Sequence, residues 1–438
     1  MGVNSCGTTL IDQGFFKNIG AITWDTTVKT SGFTAVSGNG YFCNTTSAAF
    51  TVTLPASPSA GDIVAIADYA NTFDTNNVTI GRNGSNIQGD AVDFKAQIEG
   101  LSITLIYVDG TQGWLSIDAA QASNISDPEF ITATGGTITT SGDYKIHAFT
   151  GPGTFTVCSV GNACGSNSIE YAVVGGGGSG GSRRGGGAGA GGFRSIFPSP
   201  AVGGLPVSAT GYPITVGAGA APTPGQPTAV RGISGSPSSG FGITSAGGGG
   251  GGTATPNTTT RTGIAGGSGG GGAGGPGNGG PGPGAAGNTP PVSPSQGNSG
   301  GNGAGPAPSL QEGGGGGGGA SASGADAVYP GPGTLAGDGG NGIQIPEVPA
   351  SYGSPARYFA GGGGGGVDTR GGGSVVGAGG LGGGSRGAGR GTSPLSVSPN
   401  AIANTGGGSG GAGGPSCTPT RASGAGGSGI VLIRYKFQ

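Results

Sequence analysis

Two short apolar runs set the strongest limit on how this chain can fold, because they bracket a block composed mainly of glycine. The first run, IEYAVV, spans residues 169–174, and the second, IVLIRY, spans residues 430–435. The block between them extends from Gly175 to Gly427. β-Branched and aromatic residues favour strands, and a free linker has no reason to begin and end with them. The pattern therefore predicts two neighbouring strands of one sheet, with the block as a single large insertion.

Overall composition alone would place the chain among low-complexity proteins. It holds 113 glycines and 30 prolines in 438 residues, about a third of the chain. However, only 8% of the residues are charged and the formal net charge is −2, which is unlike charge-rich disorder. Residues 1–170 have the pattern of an ordinary β protein, so the excess of glycine belongs to the downstream part.

Runs of consecutive glycine favour packed polyglycine II helices in the insertion. Such a helix has three residues per turn and no internal hydrogen bonds, so its backbone groups point outward to neighbouring helices. Residues 247–252, 313–319 and 361–366 are runs of this kind. A flexible linker is the rival interpretation, because ordering glycine costs the most conformational entropy. The bracketing strands, the recurring runs and the low charge favour order, whereas collagen is excluded because glycine does not occupy every third position.

The rest of the chain predicts an all-β protein without helices. Apolar residues alternate with polar ones through residues 31–119 and turn formers separate the runs, which predicts a small antiparallel β-sandwich or barrel. Residues 120–130, with Asp-Pro at 127–128, form a predicted linker, and residues 131–438 a β-sandwich that carries insertion 175–427. Residues 1–30 carry unpartnered aromatic side chains, so they form either an attachment segment or an irregular first strand.

Four strings in the first module resemble a known building block. They are GFTAV at 32–36, VTLPASPSAGD at 52–62, GRNGSNI at 81–87 and YVDG at 107–110. Together they are similar to a module that recurs in fibre proteins of marine tailed phages, notably those that infect cyanobacteria. The resemblance covers roughly residues 20–120; it implies a component of a virion fibre and brings no catalytic residues with it.

A second resemblance covers residues 131–438. The strings GTFTV at 153–157, YAVVGGGG at 171–178 and GSGIVLIRY at 427–435 resemble the glycine-rich domain of phage tail fibres and adhesins. That resemblance implies that the insertion folds as packed polyglycine II helices. It also implies that variable loops at the ends of the helices contact the host surface.

Aromatic and arginine residues between the glycine runs are the candidate receptor contacts. Aromatic rings can stack on sugars or on a protein receptor, and guanidinium groups can pair with carboxylates or phosphates. The alternative role is to cap the array of helices or pack its edge, since apolar side chains have few other places to bury in a glycine core. The candidates are Tyr329, Tyr352, Tyr358, Phe359, Arg357, Arg183 and Arg184.

Catalytic chemistry is not indicated, so we expect no enzyme activity, metal site or cofactor. The single histidine, His147, lies in an alternating strand and has a structural role by pattern. Cys158 and Cys164 could pair across a turn, but a reducing cytoplasm keeps thiols free. Four carboxylates could in principle form a glycosidase pair, but their spacing does not suggest one. They are Asp326, Asp338, Glu347 and Asp368.

The favoured function is that of a structural virion fibre or adhesin of a tailed phage. Its N-terminal region would bind other virion proteins, and its glycine-rich domain a glycan or protein receptor on the host cell. We expect a homo-oligomer, with a trimer favoured, that assembles in the host cytoplasm, because no export signal begins the chain. No basic patch or long apolar run suggests nucleic-acid binding or membrane insertion. The alternatives are a capsid or neck appendage without a receptor role and, less favoured, an extracellular matrix protein.

Overall fold

A computed structural model of the chain contains two compact units that divide between Glu129 and Phe130, except that Gly165 groups with the first. The structure describes residues 22–117, 129–161, 165–197, 204–224, 229–275, 280–305, 312–329, 333–368, 374–389, 397–414 and 422–438. Residues 120–128 of the predicted linker at 120–130 and residues 1–21 of the predicted attachment segment at 1–30 therefore lie outside the described residues. Within that segment, Thr23–Lys29 form the first strand of the first unit.

The first unit consists of two sheets that share one core. Its strands are β1 (Thr23–Lys29), β2 (Phe33–Thr34), β3 (Asn39–Cys43), β4 (Phe50–Thr53), β5 (Ile63–Asp68), β6 (Val78–Gly81), β7 (Phe94–Ala96), β8 (Ser102–Asp109) and β9 (Gly113–Ser116). One sheet has the order β1-β3-β5-β8-β9 and the other β2-β4-β6-β7. Ile66 of the first sheet and Ile80 of the second belong to the same buried cluster, with Trp114.

Parallel pairing in this unit contradicts the predicted antiparallel module. The strands β1, β3 and β5 pair in parallel, as do β2, β4 and β6, so the chain changes sheet after each of these strands. Parallel neighbours need a crossover connection, and here the crossover is a strand of the opposite sheet. Alternation of apolar residues is the same for both kinds of pairing, which is why the sequence pattern did not reveal it. Antiparallel pairs enter only with β7, β8 and β9.

The second unit is a β-sandwich with the glycine block inserted between two of its strands. Its elements are β10 (Thr132–Thr134), β11 (Thr137–Ser141), β12 (Tyr144–Phe149), β13 (Gly153–Ser159), β14 (Ser168–Val174), β15 (Phe193–Ser195), β16 (Leu205–Pro206), β17 (Gly211–Ile214), β18 (Ser238–Gly240), β19 (Ile243–Ser245), α1 (Thr258–Arg261), β20 (Ile343–Gln344), β21 (Tyr358–Phe359) and β22 (Ile430–Lys436). One sheet has the order β11-β12-β22-β14-β15, with β16 also on β14, and it faces the sheet β10-β13-β17.

Strands β14 and β22 are hydrogen-bonded neighbours, as the two bracketing apolar runs predicted. They pair antiparallel, and Val174 lies opposite Ile430 at the point where the insertion leaves and returns. Both faces of this strand pair are buried: Val173 packs in the cluster that contains Phe155, and Val174 packs in the cluster that contains Phe359. Burial on both faces explains why residues 172–174 and 430–433 are continuously apolar instead of alternating.

The glycine block forms straight rods whose backbone hydrogen bonds repeat every three residues. In the first rod, residues 175–181, every third amide donates to the same neighbouring rod. These bonds are Gly175 to Gly192, Gly178 to Gly189 and Gly181 to Gly186. The amides between them donate to other rods, as Gly176 does to Ser236 and Gly177 to Gly427. A three-residue repeat with no bonds inside the rod is the pattern of polyglycine II.

Glycine is required in the rods because the backbones touch. A Cβ atom at Gly187 would lie 2.0 Å from the carbonyl oxygen of Gly363, and one at Gly317 would lie 1.9 Å from that of Ala188. These distances are well below van der Waals contact, so a side chain there would force rods apart. Ala188 is itself fully buried, which shows that a methyl group fits at particular positions. The rods are therefore closely packed, and only a few positions in the array accept a small side chain.

Helical structure is confined to the single turn α1 in the described part of the chain. Asn257 caps this turn by accepting a hydrogen bond from the amide of Thr259 at 2.9 Å. Among the residues that the structure describes, no helix has the length and apolar character that a membrane span requires.

Candidate functional site

The rods define two ends of the array, and the predicted contact residues divide between them. The first rod leaves β14, turns at residues 182–184, and the chain returns through residues 185–192 to β15. We call the end at the β-sheet the near end and the opposite end the far end. Arg183, Arg184 and Tyr329 lie at the far end, whereas Tyr352, Arg357, Tyr358 and Phe359 lie at the near end. The structure therefore does not bring the candidates together in one site.

The near-end candidates close the array against the β-sheet. Phe359 is fully buried in a cluster with Leu432 of β22. It cannot reach a receptor in this structure, so the prediction that it is a receptor contact is wrong. Arg357 donates from Nε to the carbonyl of Val348 at 2.8 Å. Tyr358 pairs with Gln344 in the two-stranded sheet of β20 and β21. These near-end residues cap the array of rods, which is the alternative role that the sequence left open.

Arg184 is also buried, because it forms an ion pair inside the far end. Its Nη1 lies 2.6 Å from Oε2 of Glu312 and 3.7 Å from Oδ2 of Asp368, and both carboxylates are almost completely buried. The two carboxylates belong to two other rods, so the guanidinium group joins three segments of the array. A buried arginine with these partners is not available to an external carboxylate or phosphate. The prediction that Arg184 is a receptor contact is therefore wrong. Its neighbour Arg183 is half-buried and, like Arg184, has a positive φ.

Three apolar side chains form an exposed row at the far end. Val328 bridges Leu335 in antiparallel register, and Leu335 bridges Val375 in parallel register. Directly opposed residues lie about 5 Å apart and project from the same face. They are nevertheless 52%, 43% and 54% exposed, respectively, and Tyr329, which follows Val328, is 40% exposed. We refer to Val328, Leu335 and Val375 as the far-end row.

The far-end row was missed in the sequence because its members are single apolar residues in separate rods. Only Tyr329 was a candidate, since aromatic residues are the usual signal for a contact surface. The row becomes a surface only because three rods pair side by side. Exposed, contiguous apolar side chains on a rigid support are typical of protein interaction sites.

His147 has the structural role that its strand pattern predicted. Its side chain is fully buried in the sandwich. Nδ1–H donates to the carbonyl of Gly135, 2.7 Å away, and Nε2 accepts from the hydroxyl of Tyr435, 3.2 Å away. Burial lowers the pKa of His147, so the neutral form is favoured in the folded state.

Several other titratable side chains are engaged by neighbouring groups in the described part of the chain. Asp326 accepts from the amide of Asn302 and Asp338 from the amide of Ala378, each at 2.6 Å. No group of three or more histidine, cysteine or acidic side chains in this part is placed to hold a metal ion. Burial raises the pKa of Cys43 to about 12. The sequence left a pairing of Cys158 with Cys164 open, and Cys164 lies outside the described residues.

Comparisons with known proteins agree with the architecture of the second unit. A family model described as a glycine-rich domain matches residues 149–436. The match begins at the end of β12, covers the whole array and ends in β22. A comparison with curated proteins gave no match. Because the matched residues make up more than half of the chain, the protein belongs to the family defined by this glycine-rich domain.

Proposed function

We propose that this protein is a structural virion fibre or adhesin of a tailed phage, and that the far end of its glycine array contacts a receptor on the host cell. The far-end row carries the proposal, because it places exposed apolar side chains where the rods end. The sequence strings that resemble phage fibre modules supply the biological context for the proposal. A protein receptor fits this surface better than an anionic one, since Arg184 is engaged by Glu312 and Asp368.

The rods suit an adhesin because they hold the contact surface rigidly. Each rod is fixed by backbone bonds to several neighbours, so few degrees of freedom remain to be lost when a partner binds. The proposed N-terminal attachment to other virion proteins, the assembly in the host cytoplasm and the trimeric state complete this proposal. The attachment would leave the glycine-rich unit to face outward from the particle.

Binding to cells tests the receptor role directly. Fluorescently labelled protein is incubated with a panel of cyanobacterial strains, and the bound fraction is measured for the wild type and for Leu335→Glu. The matched control is Ile138→Glu, because Ile138 is an exposed apolar residue of β11, 46% exposed compared with 43% for Leu335. We expect binding to at least one strain, about tenfold weaker for Leu335→Glu and unchanged for Ile138→Glu.

The same experiment separates the adhesin from a decorating appendage. If no strain in the panel binds the protein, or if both variants bind like the wild type, the receptor role of the far-end row is wrong. Immunogold labelling of phage particles with antibody to the second unit then distinguishes the tail from the capsid or neck. Labelling at the capsid or neck without cell binding would support the appendage without a receptor role.

A further inference from the structure

We infer that a groove on the β-sandwich of the second unit binds a neutral saccharide. The groove has a volume of about 500 Å³ and lies between β16, β17 and the hairpin of β18 and β19. This volume is within the usual range for small-ligand sites. The side chains that line the groove include those of Pro206, Tyr212, Pro213, Ser239, Phe241 and Thr244. The inference does not depend on the proposed function, because the groove lies on the sandwich and the far-end row lies at the other end of the array.

Two aromatic rings form one wall of the groove and are held in place. The ring centroids of Tyr212 and Phe241 are 5.1 Å apart with an interplanar angle of 46°. The hydroxyl of Tyr212 accepts a hydrogen bond from the amide of Ser208 at 2.8 Å, which fixes the ring at its outer end. Phe241 is also in contact with Phe155, with ring centroids 5.9 Å apart. The wall is therefore formed before any ligand binds.

The backbone at Phe241 adopts a conformation that bulky residues rarely take. Phe241 has φ +55° and Gly242 has φ +75°, and the two residues form the turn between β18 and β19. A two-residue turn with two positive φ angles is normally Asn-Gly or Gly-Gly, since a bulky side chain is disfavoured there. Strain of this kind persists where the surroundings impose it and is common at ligand sites. An Asn at this position would make the same turn without strain and without the ring.

Two hydroxyl groups supply the polar side of the groove. Ser239 and Thr244 lie directly opposite each other in the hairpin, so their side chains project from the same face. Neither hydroxyl is engaged by another group among the described residues, and both residues line the groove. No residue lining the groove is charged. The site thus offers aromatic faces and free hydroxyl groups, without a partner for a charged ligand.

A neutral saccharide matches this combination. A pyranose ring has an apolar C–H face that can lie on an aromatic ring and hydroxyl groups around its edge that can bond to Ser239 and Thr244. A phosphate or carboxylate ligand would lack a cation in the groove. A proline-rich peptide could pack on the rings of Tyr212 and Phe241, but it would offer fewer hydrogen-bonding groups than a sugar to the hydroxyls of Ser239 and Thr244. We therefore assign the groove to one or two sugar units of a neutral glycan.

Binding of defined saccharides to the full-length protein tests the inference. Maltotriose, cellotriose, mannotriose, N,N′,N″-triacetylchitotriose and lactose are titrated singly and followed by saturation-transfer difference NMR, with trigalacturonate and decaproline as comparison ligands. We expect at least one neutral saccharide to bind with a dissociation constant of about 1 mM. Phe241→Asn should weaken that binding about tenfold, and Thr244→Val about threefold. Ile138→Ala, at an exposed position of β11 that does not line the groove, should leave it unchanged.

The variants distinguish loss of the site from loss of the fold. Phe241→Asn keeps a residue that favours positive φ but removes the ring contact with Phe155, so thermal unfolding should show a lower midpoint with a single cooperative transition of the second unit. Thr244→Val changes a single exposed hydroxyl and should unfold like the wild type. The inference is overturned if no neutral saccharide binds more tightly than about 10 mM. It is equally overturned if the Phe241 and Thr244 variants bind like the wild type, or if only trigalacturonate or decaproline binds.

Discussion

Buried serine hydroxyls bridge neighbouring rods where a direct backbone bond is missing. The amide of Gly180 donates to Oγ of Ser409 at 3.0 Å, and this hydroxyl donates to the carbonyl of Gly424 at 2.6 Å. Ser409→Ala should therefore lower the free energy of unfolding by about 1–3 kcal/mol, because it leaves a buried donor and acceptor unsatisfied. The measurement is urea unfolding followed by circular dichroism.

Ser268 provides a matched control in the same array. It is also fully buried, but its hydroxyl has no hydrogen-bond partner among the described residues. Ser268→Ala removes the same atom without breaking a bond, so stability should stay within about 0.5 kcal/mol of the wild type or rise slightly. Equal losses in the two variants would show that the Ser409 bridge contributes nothing specific.

The buried imidazole of His147 makes stability depend on pH. Burial lowers its pKa in the folded state, while the unfolded chain titrates near about 6.5. As the pH falls below that value, the unfolded state binds a proton that the folded state resists, so stability is lost with acid. In His147→Asn this contribution is absent. The gap in unfolding free energy between wild type and variant should shrink from pH 7.5 to pH 5.5, and a constant gap would contradict the assignment.

A single rod tolerates additional atoms only where its neighbours leave space. The amides of Gly314, Gly315 and Gly316 donate to three different rods, so the run 313–319 is surrounded. Gly317→Ala would place a methyl group 1.9 Å from the carbonyl oxygen of Ala188. We expect a loss of about 3 kcal/mol in the free energy of unfolding, or failure to fold, because the rods must separate.

Gly151 is the control for this substitution. It lies in the turn before β13, and a Cβ atom there would have no neighbour within 4 Å. Gly151→Ala should change stability by no more than about 1 kcal/mol, since it affects mainly the unfolded chain. If Gly317→Ala is as mild as Gly151→Ala, close packing of the rods is not what excludes side chains.

At the scale of the whole molecule, the array and the strand pair that closes it should unfold together. The rods carry almost no side chains, so their order depends on bonds to rods that are distant in the sequence. Hydrogen–deuterium exchange followed by mass spectrometry should show residues 314–318 to be as protected as residues 431–433 of β22, because both open only with the unit. The exposed loop residues 209–210 should exchange much faster. Exchange of 314–318 within seconds at pH 7 would instead support the flexible-linker interpretation.

Local patterns were enough to predict the main element of this fold. Two apolar runs predicted β14 and β22 as neighbours, because strand formers at both ends of a low-complexity block make sense only as paired strands. Long glycine runs predicted the rods, because only glycine allows backbones to touch. The candidate site was less predictable. For Phe359 and Arg184 the sequence left open a receptor contact or a packing role, and the structure buries both under segments distant in sequence.

The sequence by itself determined that the protein is all-β and that its glycine block is an ordered insertion, since both follow from residue type and spacing along the chain. Only the tertiary structure decided the parallel pairing of the first unit, the neighbours of each rod and the end of the array at which each side chain lies. The physical reason is that rods of nearly identical glycine sequence carry no side chains to encode their partners. Their arrangement depends on the turns, on the few buried polar side chains and on simultaneous satisfaction of all the backbone bonds.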